Sequence, residues 1–248
     1  MNIAVCVKQT PDTTTQIKIS ENKSVVEDGI QWIISPYDEF AIEEAISLTE
    51  KHGGEVTIIS LGPARADKTI REALAMGAHK AIRINTESIP QDPGVVAAAL
   101  ADVLKQGEYD LIFTGRQAID DDHAQIPSRI AQLLDLPCAT VIVELNIEGN
   151  QASALREVEG GHERVSFSLP AVIGANRHLN EPRYRSMRGI MQAKRIPIEV
   201  VEATMPEPQL VVEGLAYPPE KGERKLFESG ASDAATVVQL LRDEAQVI

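Results

Sequence analysis

Residues 109–134 read YDLIFTGRQAIDDDHAQIPSRIAQLL, and this stretch decides the fold class of the chain. Its first part, 109–114, is an apolar run that predicts a buried strand, whereas 126–134 has the apolar spacing of a helix. A polar loop that begins with Gly115 joins the two segments. A loop at the carboxyl end of a strand, opening onto a helix, is where open α/β sheets bind nucleotides.

The loop also carries three consecutive carboxylates, Asp120, Asp121 and Asp122, which would repel a phosphate group. A phosphate could instead meet the free N–H groups at the start of the helix at 126–134, where the helix dipole is positive. The aspartates could then cap that helix or accept hydrogen bonds from ribose hydroxyls. A plain surface loop with helix-capping acids is the alternative interpretation.

Strand and helix patterns alternate through the first 145 residues. Apolar runs predict strands at 3–7, 56–61, 81–84, 110–113 and 139–145, and helical spacing predicts helices at 38–51, 66–76, 95–105 and 126–134. This alternation predicts an α/β fold with a doubly wound, mostly parallel sheet of the Rossmann-like type. Hairpins are expected between 146 and 169, before another buried strand at 169–175.

In such a sheet the ligand crevice lies outside the carboxyl ends of the strands. The loops that open there would be Lys8–Asp12, Ser35–Asp38, Gly62–Pro63 and the loop after Gly115. The chain has neither a Walker loop nor a G-x-G-x-x-G sequence, so a mononucleotide is the more plausible ligand.

The pattern changes beyond Pro197. We expect a nucleotide-binding domain at 1–198 and a C-terminal arm at 199–248, with an irregular first part and an amphipathic helix at 231–247. An irregular segment of this kind cannot build its own core. The arm either packs on another chain or folds back on its own domain, and the pattern leaves both open.

Composition excludes several functions. The chain has 24 Lys and Arg against 37 Asp and Glu, a formal charge of -13, which argues against binding to nucleic acid or anionic membranes. No apolar run approaches the ~18 residues of a membrane span.

Cys6 and Cys138 lie in apolar sequence and are expected to be buried. The histidines are scattered, so we predict no catalytic residue and no metal ligand, and a cytoplasmic location fits best.

Residues 177–195 contrast with this acidic background, because they hold six basic residues and one acid. Met187, Ile190 and Met191 add apolar contact points within the same segment. A basic segment with methionines on an acidic protein suits docking to acidic partners. A solvated basic helix face is the alternative interpretation.

Several segments, in order, resemble the beta (small) subunit of electron transfer flavoproteins. They are VKQ at 7–9, SPYDEFAIEEA at 35–45, GP at 62–63, ALAMGA at 73–78, the loop at 115–125, REVEGG at 156–161, LPAV at 169–172 and LNEPRY at 179–184. Together they span about residues 1–200, and the ordered set is far more specific than any one segment.

The resemblance implies a heterodimer with an alpha subunit that carries FAD. The pair would accept electrons from flavin dehydrogenases, such as acyl-CoA dehydrogenases, and pass them to a membrane quinone oxidoreductase. The beta subunit would hold AMP as a structural nucleotide. It would be an electron-carrier subunit rather than an enzyme, in a bacterial cytoplasm or a mitochondrial matrix, without inserting into the membrane itself.

The resemblance also implies roles for individual residues. The AMP site would comprise Cys6, Ser35, Pro36, Tyr37, Asp38, Leu61, Gly115, Arg116, Gln117, Ala118, Ile119, Asp120, Asp121, Asp122, His123, Ala124, Gln125 and Ile126. A docking loop at 175–197 would meet dehydrogenases through Tyr184, Arg185, Met187, Arg188, Ile190 and Met191, with Met187 as the apolar anchor. Glu157 would reach toward the flavin domain of the alpha subunit, and the C-terminal arm would wrap on that subunit.

One difference between this chain and related sequences bears on the identity of the ligand. Electron-bifurcating relatives hold a second FAD in place of AMP and typically read Asp-Gly-Asp-Thr where this chain has 120–123. Asp121 replaces that glycine and adds a side chain and a charge where a second phosphate would need close approach to the backbone. Residues 124–127 also differ from the sequence that usually ends this loop in non-bifurcating members of the family. We therefore expect AMP, with a second FAD as the alternative and a stand-alone nucleotide-binding module as a further one.

Overall fold

The computed structural model describes residues 1–219 and 224–248. Its centre is a nine-stranded sheet in the order β11-β5-β4-β1-β6-β10-β7-β8-β9. The strands are β1 (Asn2–Cys6), β4 (Glu55–Gly62), β5 (Lys80–Asn85), β6 (Leu111–Gly115), β7 (Cys138–Glu148), β8 (Gln151–Val158), β9 (Gly161–Ser168), β10 (Ala171–Ala175) and β11 (Ile198–Val201). Strands β2 (Gln9–Pro11) and β3 (Trp32–Ile34) form a separate antiparallel pair.

Within the nine-stranded sheet, every pairing from β11 to β7 is parallel, whereas the β7–β8 and β8–β9 pairings are antiparallel. The helices are α1 (Pro36–His52), α2 (Ala66–Met76), α3 (Pro93–Leu104), α4 (Ile126–Leu134), α5 (Met187–Ala193) and α6 (Ala234–Asp243), with a 3₁₀ turn at Gly230–Asp233. The predicted doubly wound, mostly parallel α/β fold is confirmed.

The two faces of the sheet carry separate apolar cores, as a parallel sheet requires. Residues of α1 and α2 pack on one face, around Ile3, Val5 and Phe113. Residues of α3 and α4 pack on the other face, around Ala4, Ile59 and Ile112. The central strands are buried on both faces, which explains why they appear in the sequence as continuous apolar runs.

The structure adds elements that the sequence pattern did not predict. They are β2, β3, the short helix α5 and the edge strand β11, which pairs in parallel with β5. Residues 198–201 therefore belong to the sheet, although we placed the end of the domain at 198. The expectation for Cys138 was wrong, because its side chain is exposed at the start of β7, whereas Cys6 is buried.

The C-terminal arm (residues 199–248) divides into two parts. Its first part folds back on the domain: Asp102 accepts a hydrogen bond from the Thr204 N–H at 2.9 Å, and the Ile19 N–H donates to the Tyr217 hydroxyl at 2.9 Å. Helix α6 has no buried residue and exposes Val238 and Leu241. It is also shorter than the helix that we predicted at 231–247.

Candidate functional site

A cleft opens at the carboxyl edge of β1, β4 and β6, between the first turns of α3 and α4. Its empty space is about 760 Å³, part of which is open to solvent. In open α/β sheets, small-molecule ligands bind at this edge. The cleft lies where the parallel strands point their carboxyl ends, which is the edge that the sequence indicated.

Many residues of the predicted nucleotide site line this cleft. They are Cys6, Asp38, Leu61, Gly115, Arg116, Gln117, Ala118, Asp121, His123, Ala124, Gln125 and Ile126. The other predicted residues do not line it: Ser35, Pro36, Tyr37, Ile119, Asp120 and Asp122. Tyr37 still lies next to the site, since the guanidinium carbon of Arg116 is 5.8 Å from the centroid of its ring.

Asp38 joins the two loops that form the floor of the cleft. Its carboxylate accepts a hydrogen bond from the Lys8 N–H at 2.7 Å and another from the Gly115 N–H at 2.9 Å. Burial raises the pKa of Asp38 to about 7, although both N–H donors favour the ionised form. One buried carboxylate thus fixes the ends of β1 and β6 relative to each other.

Gly115 is required by close packing. A Cβ atom on this residue would lie 2.5 Å from Oδ1 of Asp38 and 2.7 Å from Cβ of Tyr37. Any larger residue would push apart the turn after β6 and the first turn of α1. The glycine therefore allows the loop to approach the buried carboxylate of Asp38.

Lys8 offsets part of the negative charge of the acidic loop. Its Nζ atom lies 2.7 Å from Oδ1 of Asp120 and 2.7 Å from Oδ2 of Asp121. Burial lowers the pKa of Lys8, but the attraction and hydrogen bonds of the two carboxylates outweigh this effect and raise it. Two of the three acids are therefore paired within the protein.

The suggestion that these aspartates cap the following helix was wrong. The N-cap of α4 is Gln125, and its side chain makes no capping hydrogen bond. Asp120 and Asp121 pair with Lys8, and Asp122 accepts a hydrogen bond from the Gln117 amide at 2.6 Å. The start of α4 at the cleft is left without a side-chain cap.

The same loop holds two side chains in the left-handed backbone region. Asp122 has φ 50° and Ala124 has φ 54°. Aspartate tolerates this conformation, but alanine adopts it at a cost of order 1 kcal/mol or more. Strained backbone of this kind is concentrated at binding sites, and here it turns the chain between the acids and α4.

The wall formed by α3 was missed in the residue-level prediction. This helix and the residues just before it contribute Ile89, Pro90, Gln91, Pro93, Val96 and Leu100 to the cleft. The signal was present, because Asp92 followed by Pro93 is typical of an N-cap and a first helical residue. Lys8 also lines the cleft, in the loop after β1 that the sequence placed at this edge.

A second surface lies at the predicted docking loop. Tyr184 is 99% exposed, Met187 76% and Met191 60%, which is unusual for side chains of this size. Ile190 is also exposed. Ser186 caps α5 by accepting a hydrogen bond from the Gly189 N–H at 3.0 Å. Met187, Ile190 and Met191 are thus presented to solvent on α5, and Tyr184 is presented just before this helix.

Ion pairs hold this segment on the domain. Arg183 donates to both carboxylate oxygens of Glu43 and to both of Glu50, at 2.7–3.0 Å. Arg185 lies 2.7 Å from Glu72. One of the predicted docking residues, Arg185, therefore already has an ion-pair partner within the chain.

Glu157 lies at the end of β8, away from the cleft. One of its carboxylate oxygens accepts a hydrogen bond from the amide of the buried Asn176 at 2.6 Å. The other lies 3.8 Å from Nδ1 of His178. The carboxylate is thus held in one orientation by residues that follow β10, and it remains partly exposed.

The described ranges contain no group of three or more His, Cys, Asp or Glu side chains arranged to hold a metal ion. Among the helices at 1–219 and 224–248, none is both long and apolar enough to cross a membrane.

The fold and the cleft define a doubly wound α/β protein with a ligand-sized opening at the carboxyl edge of its sheet. A model of the electron transfer flavoprotein domain matches residues 23–206. The beta subunit of the electron transfer flavoprotein of Bacillus subtilis is 43% identical, with all of both chains covered. The human beta subunit is 39% identical over 82% of this chain and 81% of its own length.

The beta subunit of Syntrophomonas wolfei is 40% identical over 95% of this chain and 93% of its own. The chain belongs to the electron transfer flavoprotein beta-subunit family. Membership of this family implies an alpha subunit as partner and an association with flavin.

Proposed function

We propose that this chain binds AMP in the cleft between α3 and α4, as a structural nucleotide. The observation that carries this proposal is the meeting of Cys6, Leu61 and most of the loop at 115–126 around one cleft at the carboxyl edge of the sheet. The uncapped start of α4 offers N–H groups and a positive dipole end to a single phosphate. The apolar lining from α3 and β4 suits a base.

The pairing of Lys8 with Asp121 favours AMP over a second FAD. A dinucleotide needs space and positive charge for two phosphates, whereas Asp121 places a carboxylate at the cleft and occupies the ammonium of Lys8. Carboxylates repel a pyrophosphate, and in a partly buried site this repulsion is poorly screened. A mononucleotide can avoid the acids by placing its phosphate at α4.

We further propose that the chain acts as the beta subunit of an obligate heterodimer whose alpha subunit carries FAD. Flavin dehydrogenases such as acyl-CoA dehydrogenases would dock on the surface formed by Tyr184, Met187, Ile190 and Met191. Their electrons would pass to the FAD of the alpha subunit and then to a quinone oxidoreductase. The exposed methionines on an ordered helix support this role, since such side chains adapt to several partners.

In this proposal the chain has no catalytic residues of its own. Glu157 would contact the flavin domain of the alpha subunit, helped by the orientation that Asn176 gives its carboxylate. The complex would act in a bacterial cytoplasm or, in a eukaryote, in the mitochondrial matrix. Neither nucleic acid nor direct insertion into a membrane is part of the proposed function.

The small molecules released when the purified heterodimer is denatured test the proposal. We expect FAD and AMP in equal amounts, separated by chromatography and identified by mass. Two FAD and no AMP would make the chain a bifurcating type. A stable oligomer of the chain alone, without an alpha subunit, would instead indicate a stand-alone nucleotide-binding module.

A further inference from the structure

One buried carboxylate, that of Asp92, serves two separate parts of the chain. Its Oδ1 atom caps α3 by accepting a hydrogen bond from the Gly94 N–H at 2.7 Å. Its Oδ2 atom accepts hydrogen bonds from the N–H groups of Gln209 and Leu210, at 2.8 and 3.1 Å. The first bond lies within the domain, and the other two hold the C-terminal arm.

The first of these parts is a wall of the proposed nucleotide cleft. Residues 89–91 come directly before Asp92, and Pro93 and Val96 follow it in the first turn of α3; all of them line the cleft. A shift of this turn would change the width of the cleft. The cap from Asp92 therefore positions one side of the nucleotide site.

The second part is the segment of the arm that runs along α3. The Thr204 N–H donates to Asp102, ten residues further along the same helix. Ala203 and Met205 pack on the apolar cluster that also contains Cys6, Leu61 and Leu100 from the cleft. The arm and the cleft thus share both a helix and a core.

Charge supports the arrangement at Asp92. The N–H groups of Gly94, Gln209 and Leu210 lower its pKa, as does the positive charge of Arg129 on α4. The carboxylate therefore stays ionised over the whole neutral range, and hydrogen bonds to an ionised acceptor are the stronger kind.

We propose that Asp92 is a positioning residue that couples the nucleotide cleft to the C-terminal arm. Ordering of the first turn of α3 by a bound nucleotide fixes the carboxylate, and the fixed carboxylate holds the arm at 209–210. Because such coupling is reciprocal, a seated arm also favours binding of the nucleotide in the cleft. The inference rests on the proposed nucleotide site, and it gives the nucleotide a means to organise the arm.

Replacing Asp92 with Ser separates the two roles. Serine caps a helix about as well as aspartate, so the bond to the Gly94 N–H is kept. Its single short hydroxyl leaves no second oxygen for Gln209 and Leu210. The matched control is Asp102→Ala, which releases the arm at Thr204 but leaves Asp92 and the cleft wall unchanged.

Amide hydrogen exchange is measured on the full-length chain in complex with its alpha subunit, first without nucleotide. In Asp92→Ser we expect the amides of 209 and 210 to exchange about tenfold faster, as for loss of a charged hydrogen bond. The amides of 95–97 in α3 should also exchange faster. If exchange becomes faster only in the arm and not at 95–97, Asp92 merely holds the arm in place, and the proposed coupling is overturned. Asp102→Ala should affect only the amides near Thr204.

The same complexes are then measured with AMP, whose binding is followed separately by calorimetry. AMP should slow exchange at 209–210 in the wild type and in Asp102→Ala, but not in Asp92→Ser. An equal slowing in Asp92→Ser would contradict the coupling. If the wild type binds no AMP, the proposed ligand is wrong, and the comparison without nucleotide decides the coupling on its own.

Discussion

The ammonium of Lys8 donates a hydrogen bond to Oδ2 of Asp121 at 2.7 Å, across 113 residues of sequence. This bond ties the end of β1 to the loop before α4 and neutralises an acid at the cleft. The acidic loop therefore does not present three unpaired carboxylates to a ligand phosphate, as the sequence alone suggested.

Replacing Lys8 with Met should weaken AMP binding. The substitution keeps an apolar stem of similar length but leaves Asp120 and Asp121 without their counter-ion, so the cleft becomes more negative. We expect the dissociation constant for AMP, measured by calorimetry, to rise about tenfold, which corresponds to about 1.4 kcal/mol. The control is Lys18→Met, an exposed site outside the cleft. An unchanged constant would show that the Lys8 pair does not affect the ligand.

Asp38 should make stability depend on pH. Burial raises its pKa from 3.8 to about 7 in the folded state, so the folded chain binds a proton that the unfolded chain releases between these values. The stabilisation from this group is fully present below about pH 4, where both states are protonated, and it is lost as the pH rises to about 7. Above that range its contribution is constant.

Asp38→Asn, which cannot ionise, isolates this effect. We expect the difference in free energy of unfolding, wild type minus variant, to fall by up to about 1.4 kcal/mol per pH unit between pH 5 and 7. It should become level above pH 8. Urea unfolding at a series of pH values gives this difference, and a constant difference across the range would refute the assignment.

Gly115→Ala should destabilise the protein through overpacking. The added Cβ would lie 2.5 Å from Oδ1 of Asp38, so either the turn or the buried carboxylate must move. We expect a loss of about 1–3 kcal/mol, seen as a lower thermal midpoint at fixed protein concentration. Gly161→Ala is the matched control, because a Cβ there meets nothing within 4 Å. Equal effects of the two substitutions would contradict the packing argument.

Local pattern was enough to predict the parts of the chain whose structure depends on near neighbours. Helices α2 and α4 occupy the residues that their apolar spacing indicated, 66–76 and 126–134. The four-residue strand β11 is too short to show a period, and it is stabilised by pairing with β5, more than a hundred residues earlier. Its place in the sheet could not be predicted from its own sequence.

At the candidate site, too, contiguous features could be predicted from the sequence and contacts between distant segments could not. The glycine, the loop and the start of α4 are contiguous, so their joint role could be inferred from 109–134. The contacts of Lys8 with the aspartates and of Asp92 with the arm join distant segments. Side-chain pairing of that kind depends on the folded geometry, and it changed the interpretation of the aspartates from helix caps to partners of a lysine.

Met187→Ala should slow reduction of the complex by its dehydrogenase. Met187 is exposed on α5, and its truncation removes apolar contact area from the proposed docking surface without touching the cleft. We expect the rate of electron transfer from dehydrogenase, measured by flavin absorbance in stopped flow, to fall several-fold while FAD and AMP content stay the same. Leu133→Ala, an exposed apolar side chain on α4, is the control. An unchanged rate would remove Met187 from the docking surface.

Arg183→Met should loosen the docking segment from the domain. Arg183 forms paired hydrogen bonds with the buried Glu43 and with Glu50, and its loss leaves the Glu43 carboxylate without its counter-ion. The carboxylate keeps the hydrogen bonds from the backbone N–H of residue 183 and from the Ser47 hydroxyl, but loss of its charged hydrogen bonds still costs about 1–3 kcal/mol. The thermal midpoint should therefore fall, and dehydrogenase docking should weaken with it.

Arg185→Met is the matched control for this change. Arg185 makes its ion pair with Glu72 and is more exposed, so its loss should cost less than about 1 kcal/mol. If the two substitutions lower the midpoint equally, the pairing of Arg183 with Glu43 does not hold the segment. If Arg183→Met lowers the midpoint and leaves docking unchanged, the segment keeps its shape without this anchor, because α5 is held by its packing on α2.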